Sequence, residues 1–306
     1  MLQEIVALAL GFAFAYPPNS CAAELSVSGS AFISYDWAAN FVPRWSGGGL
    51  LSVEGESSSS PVVRAFGSDG FQIAALPVII PNATLVVIYA ASRGVTGLIA
   101  ATGAFKGSQG RHGAFVAIFP PDGGSEKIVM TNPYVPDLIA VAADGTFWTS
   151  GRTSGNQNAA TADVLWHFDQ NGRKLGSAVH QKDISSQRNI ADPGNQMAAS
   201  STRIAWLCPK EGRYMEISVA GAEITNIPVS FRNGEEVVGF ALTEEGQAFV
   251  QTQFAPPAQL TLYSFDTHSG LLSKTTPPQP MRLVGSNGNT IVGLAGNTLM
   301  YLTAGQ

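Results

Sequence analysis

The sequence predicts an all-β chain built from repeated four-stranded sheets, and three observations lead there. Short β-branched and aromatic runs alternate with Gly, Asn, Asp and Pro, and no window sustains a helical apolar period. Turn glycines recur at Gly70, Gly123, Gly172, Gly221, Gly270 and Gly305, spaced 53, 49, 49, 49 and 35 residues apart. The chain holds 33 Gly and 18 Pro in 306 residues, which suits many tight turns and few long helices. A period of about 50 residues with four short strands per unit is the signature of a β-propeller. Six turn glycines imply six blades, each of four antiparallel strands.

The N-terminus differs from the rest. An apolar run from Ile5 to Tyr16 precedes Pro17-Pro18 and then Cys21-Ala22-Ala23, the order of a secretory signal peptide. The run is too short to span a bilayer, which takes about 20 apolar residues. Glu4, with no Lys or Arg before the run, departs from the usual basic start. Cleavage is expected after Ala23, or alternatively after Ala15. Residues 1–23 then form the signal peptide and 24–306 a single propeller domain. The mature chain is expected to be exported, periplasmic or extracellular, with no transmembrane segment. Losing Cys21 leaves Cys208 alone, so no internal disulfide can form. Cys208 follows Trp206-Leu207 and reads as a small buried hydrophobe.

Each unit is expected to run innermost strand, turn, second strand, variable loop, third strand, turn, outermost strand. Asp69-Gly70, Asp122-Gly123 and Asn171-Gly172 place Gly where an antiparallel turn needs positive φ. Phe66, Phe119, Phe168, Ile217 and Phe265 precede these turns and can fill the space between neighbouring sheets. Earlier hairpins turn at Asp144-Gly145 and near Gly94, Gly246 and Gly288, with TRIAWLC (202–208) in the equivalent slot of the fourth unit. The last unit, Met281–Gln306, supplies only three strands. Its outer strand is expected from Glu24–Gly29, closing the ring and hiding two sheet edges. The five tryptophans are expected to pack between blades, and His167 and His268 to lie at the surface or rim.

The stretch LIAVAADGTFWTSG…DVLWHFDQNGRKLG resembles the repeat of NHL-type propellers and, more loosely, the gluconolactonase-like (TolB-like) six-bladed propellers. The resemblance covers most of Leu50–Gln306 in turn pattern and period, and individual residues only around Gly145–Gly172. RTSGNQNAATAD stands where the family usually has a short loop containing Asp and Arg. Such propellers include hydrolases, lyases and binding domains, so the fold selects no activity. A gluconolactonase-type site would need Glu, Asn and Asp converging on the central channel around a divalent metal.

The net charge is −5, with Lys and Arg scattered singly, which argues against nucleic acid and anionic membranes as partners. No Gly-x-Ser-x-Gly, His-Glu-x-x-His, phosphate loop or calcium loop is present. The longest loops are expected on the face opposite the hairpin turns, where binding residues accumulate on a rigid scaffold. They carry the candidate ligand-binding residues Arg111, His112, Arg152, Asn156, Asp163, His180, Arg188 and Asp192, together with Lys106, Asp183 and Arg232. Cations outnumber acids there, favouring an anionic ligand. The expectation is an exported binding module for a protein, peptide or saccharide, with no catalysis and no cofactor of its own. The alternatives are a metal-assisted lactonase or hydrolase and an interaction platform in an envelope complex.

Overall fold

The computed structural model describes residues 24–34, 43–55, 57–153, 162–254 and 259–304. Residues 1–23, with the expected signal peptide, lie outside them, as do Trp37, Asn156 and Gly305.

The described chain is all-β. After β1 (Leu25–Phe32), sheet 1 holds β2 (Arg44–Ser46), β3 (Gly49–Glu54), β5 (Val62–Phe66) and β6 (Gln72–Pro77); β4 (Ser57–Ser58) lies in the β3–β5 connection. Sheet 2 holds β7 (Ala83–Arg93), β8 (Ile99–Gly107), β9 (His112–Phe119) and β10 (Lys127–Met130), with β4 added beside β7. Sheet 3 is β11 (Tyr134–Val141), β12 (Phe147–Thr153), β13 (Asp163–Phe168) and β14 (Lys174–His180). A four-residue helix, α1 (Gln187–Ile190), precedes sheet 4, which holds β15 (Gln196–Ala199), β16 (Arg203–Cys208), β17 (Arg213–Ser218) and β18 (Glu223–Pro228). Sheet 5 is β19 (Glu235–Leu242), β20 (Ala248–Phe254), β21 (Gln259–Phe265) and β22 (Leu272–Thr275). Sheet 6 joins β23 (Arg282–Asn287), β24 (Thr290–Ala295) and β25 (Thr298–Ala304) to β1. Every neighbouring pair within these sheets is antiparallel.

The arrangement of the sheets is propeller-like. The first strands touch in cyclic order, β2 to β7, β11, β15, β19, β23 and back to β2. Six separate hydrophobic clusters fill the spaces between consecutive sheets, including one between sheets 6 and 1 built from Val284, Val292 and Leu299 against Trp45, Leu50 and Phe66. Burial follows from this stacking. Middle strands are covered on both faces, so β9 is buried from Gly113 to Phe119, while outer strands such as β6 and β18 alternate exposed with partly covered residues. Phe66, Phe119, Phe168, Ile217 and Phe265 are all buried, each worth about 1.5–3 kcal/mol of transfer free energy.

The turn glycines behave as their sequence context predicts. Gly70, Gly123, Gly172, Gly221 and Gly270 all have positive φ. At Gly70 space adds to the demand, because a Cβ there would fall 2.2 Å from the Phe32 carbonyl oxygen. The N-terminal strand does pair with the C-terminal one: β1 runs against β25 from Leu25↔Ala304 to Phe32↔Thr298, three residues further than Glu24–Gly29. Leu25 joins the cluster between sheets 5 and 6.

Two details differ from expectation. Lys106 and His112, expected in a long loop, lie in strands: β8 runs to Gly107 and β9 starts at His112, so only residues 108–111 form the connection. His167 is not a rim residue. It is 7% exposed and stacks on Trp148 with ring centroids 4.4 Å apart, on the side facing sheet 4. His268 is exposed, as expected. Trp45, Trp148 and Trp206 are buried between sheets, and Trp166 stacks on Tyr134.

Candidate functional site

The ring encloses a cavity of about 740 Å³ lined by residues from the first strand of every sheet, including Trp45, Ser92, Ala140, Met197, Val237 and Leu283. Neighbouring first strands are stitched by serine hydroxyls. Ser46 Oγ donates to the Arg93 carbonyl at 2.7 Å, Ser92 Oγ accepts from Val141 N–H at 3.0 Å, and Ser286 Oγ donates to the Leu242 carbonyl at 2.5 Å. These serines give the wall a defined register and were a legible signal that the loop-centred reading passed over.

Four first strands carry a β-bulge among the described residues, at Tyr89, Asp137, Val238 and Val284. A bulge re-aims a side chain that regular alternation would send elsewhere. Asp137 is the consequential case. Burial pushes its carboxyl up to about 6, partly opposed by Arg152. Arg152 Nη1 stands 3.9 Å from Asp137 Oδ2, a charge contact too long for a hydrogen bond, and that oxygen is buried without a hydrogen-bond partner.

Arg44 on β2 and Arg282 on β23 both line the cavity. Their strands approach closely because Gly285 has no side chain: a Cβ there would lie 2.5 Å from the Trp45 carbonyl oxygen. Burial, then the positive charge of Arg282, lowers Arg44 to about 10, and burial lowers Arg282. Both remain cationic at neutral pH. Among the described residues neither has a hydrogen bond or ion pair, and Arg282 Nε is buried without a partner. The carboxylates lining the same cavity are mostly engaged elsewhere. Glu211 accepts from Ser185 and Asn189, Glu235 from the Tyr263 hydroxyl and Arg232 N–H, and Asp192 from Gly194 N–H; Glu236 is exposed.

The residues singled out from sequence are dispersed around this cavity. Arg111 and His112 are exposed at the β8–β9 connection of sheet 2. Asp163 and His180 face each other across β13 and β14, with His180 Nδ1 2.8 Å from Asp163 Oδ1. Arg152 is held towards Asp137, Arg188 is exposed on α1, and α1 rests on β12, the strand that carries Arg152. Of the expected ligand residues only Asp192 lines the cavity, where Arg232 also lies. Asn156 falls outside the described residues. Cys208 is buried, and burial pushes its thiol up to about 12, in keeping with a packing role.

No protein-family model and no curated protein matches the chain. Solved structures do. A Dyadobacter fermentans protein of unknown function aligns over 92% of this chain and 99% of its own at TM-score 0.52 and 7% identity, a likeness of fold alone. A glucose dehydrogenase aligns over 92% and 99% at TM-score 0.47 and 11% identity. The β-propeller domain of the trilobed protease from Pyrococcus furiosus aligns over 72% and 70% at TM-score 0.44 and 11% identity.

Proposed function

We propose that the chain is an exported six-bladed propeller of the NHL-like kind, closed by β1, that binds a small ligand in its central channel and performs no chemistry on it. The observation that carries this reading is the 740 Å³ cavity walled by all six first strands, a volume in the range that takes small molecules. The apolar run Ile5–Tyr16 supports export. The lactonase alternative is less favoured because three of the four acids lining the cavity, Asp192, Glu211 and Glu235, already accept hydrogen bonds from protein donors. The channel wall is otherwise largely apolar and hydroxyl-bearing, with Arg44 and Arg282 on adjacent first strands.

A thermal-shift screen of small metabolites tests the reading. Val238 lies at a bulge on the cavity wall, so Val238→Trp puts a bulky ring into the channel and narrows it. Compounds that stabilise the wild type are expected to lose their effect in this variant and to be recovered unaltered after incubation with either protein. Equal stabilisation of both proteins would place binding outside the channel, and turnover would make the chain an enzyme.

A further inference from the structure

Two guanidinium groups line one channel, and neither is in an ion pair among the described residues. Arg44 and Arg282 come from β2 and β23, the first strands of adjacent sheets, and both line the same cavity. Taking a cation out of water is unfavourable unless it is paired. Here two like charges share a wall, and neither has a hydrogen bond or ion pair among the described residues. Burial and mutual repulsion both act on Arg44, as its lowered pKa records. None of the acids lining the cavity makes an ion pair with either arginine: Glu211, Glu235 and Asp192 accept from neutral donors and keep their charges, and Glu236 is exposed. Arg44 and Arg282 therefore form a local pair of cations whose side-chain donors no protein group uses among the described residues. Each guanidinium offers a planar fork of N–H groups matched to oxyanions.

We infer that Arg44 and Arg282 together form a site for a phosphate-type dianionic group inside the central channel. The inference rests on the channel-binding reading above and names its ligand class. Two fixed positive charges are balanced by one dianion, whereas a monocarboxylate leaves one charge uncompensated. The cavity is far larger than a phosphate group, so there is room for the anion to be carried on a small organic molecule. The carboxylates Glu235 and Glu236 on β19 line the same cavity, and they discriminate against ligands with negative charge spread along their length.

The test is calorimetric titration and thermal unfolding of the full chain with inorganic phosphate, glycerol 3-phosphate and acetate, at matched ionic strength. Phosphate is expected to bind and to raise the unfolding temperature with concentration, while acetate does neither. Arg44→Gln and Arg282→Gln should each weaken phosphate at least about ten-fold, the worth of one charge-assisted hydrogen bond, and the double variant should abolish binding. Tighter binding of glycerol 3-phosphate than of phosphate identifies an organic phosphate as the ligand; equal binding identifies the free anion. Phosphate affinity unchanged in the double variant, or acetate matching phosphate, overturns the inference.

A second measurement separates this role from a structural one. Without ligand, Arg44→Gln should unfold no lower than wild type, since it relieves repulsion; a marked drop would mean the arginines hold the fold and would also overturn the inference. Arg44→Lys keeps the charge without the fork and should lose most phosphate affinity while folding normally. The two readings can fail separately. A ligand excluded by Val238→Trp but indifferent to both arginines leaves the channel reading standing and removes only the dianion site.

Discussion

Between sheets 4 and 5 the Glu216 carboxylate is 1% exposed and fully engaged, accepting from Arg203 Nη1 at 2.9 Å and from the Tyr214 hydroxyl at 2.6 Å. Between sheets 6 and 1, Arg44 and Arg282 are partly buried beside each other with no side-chain partner among the described residues. The first arrangement has the marks of a structural pair: opposite charges, short bonds, and aromatic cover from Phe240 and Phe265 packed edge-on to Tyr214. The second has the marks of a site waiting for a charge. Burial alone does not tell structure from function in this ring. What separates the two is whether the buried group's hydrogen-bonding capacity has been used.

Removing charge should therefore have opposite consequences in the two places, and Glu216 gives the largest effect. Glu216→Ala leaves the Arg203 guanidinium and the Tyr214 hydroxyl without their acceptor, at a cost of about 3 kcal/mol. Burial and the adjacent Glu216 charge keep the Tyr214 hydroxyl pKa well above its usual range, so the donor stays protonated at all working pH values. Denaturant unfolding at pH 7 measures the cost. A loss under about 1 kcal/mol would erase the distinction between the paired and unpaired sites.

Asp137 stands between the extremes, buried beside Arg152 but without a hydrogen bond on Oδ2. Its carboxyl rises from 3.8 to about 6, so the folded chain holds that proton more tightly than the unfolded chain. Stability then falls as pH rises from about 4 to about 6 and stays lower above, by about 3 kcal/mol as an upper figure. Asp137→Asn should match wild type near pH 4 and exceed it at pH 8 by about 2 kcal/mol, the difference reflecting the lost contact with Arg152. Thermal unfolding across that range decides. A variant less stable than wild type at pH 8 would make Asp137 a needed partner for Arg152.

The architecture was largely written in local signals. Turn glycines such as Gly70 and Gly172 fix where antiparallel strands reverse, and a buried aromatic before each turn marks the face between sheets. These depend on neighbours a few residues away, so they survive reading in one dimension. The need for a closing strand could also be deduced, from counting three strands in the last unit. The channel residues could not. Arg44 and Arg282 sit near opposite ends of the sequence and meet only because the ring closes, and neither lies in a long loop. Asp137 was hidden for another reason: the bulge between Pro136 and Leu138 breaks the alternation by which a side chain's direction is inferred.

The smallest effect is expected at Asp163 and His180, two of the residues sequence placed in a binding rim. Their 2.8 Å contact joins facing residues on β13 and β14, with His180 half exposed. Ser177 Oγ also donates to Asp163, at 2.5 Å, so the carboxylate keeps a partner when the imidazole is removed. A polar contact open to water contributes little, because solvent competes for it and two side chains must be immobilised to form it. His180→Ala should cost no more than about 0.5 kcal/mol in denaturant unfolding. A cost near that of Glu216→Ala would mean that exposed pairs stabilise this ring as much as buried ones. The unused donors of Arg44 and Arg282 would then no longer be distinctive.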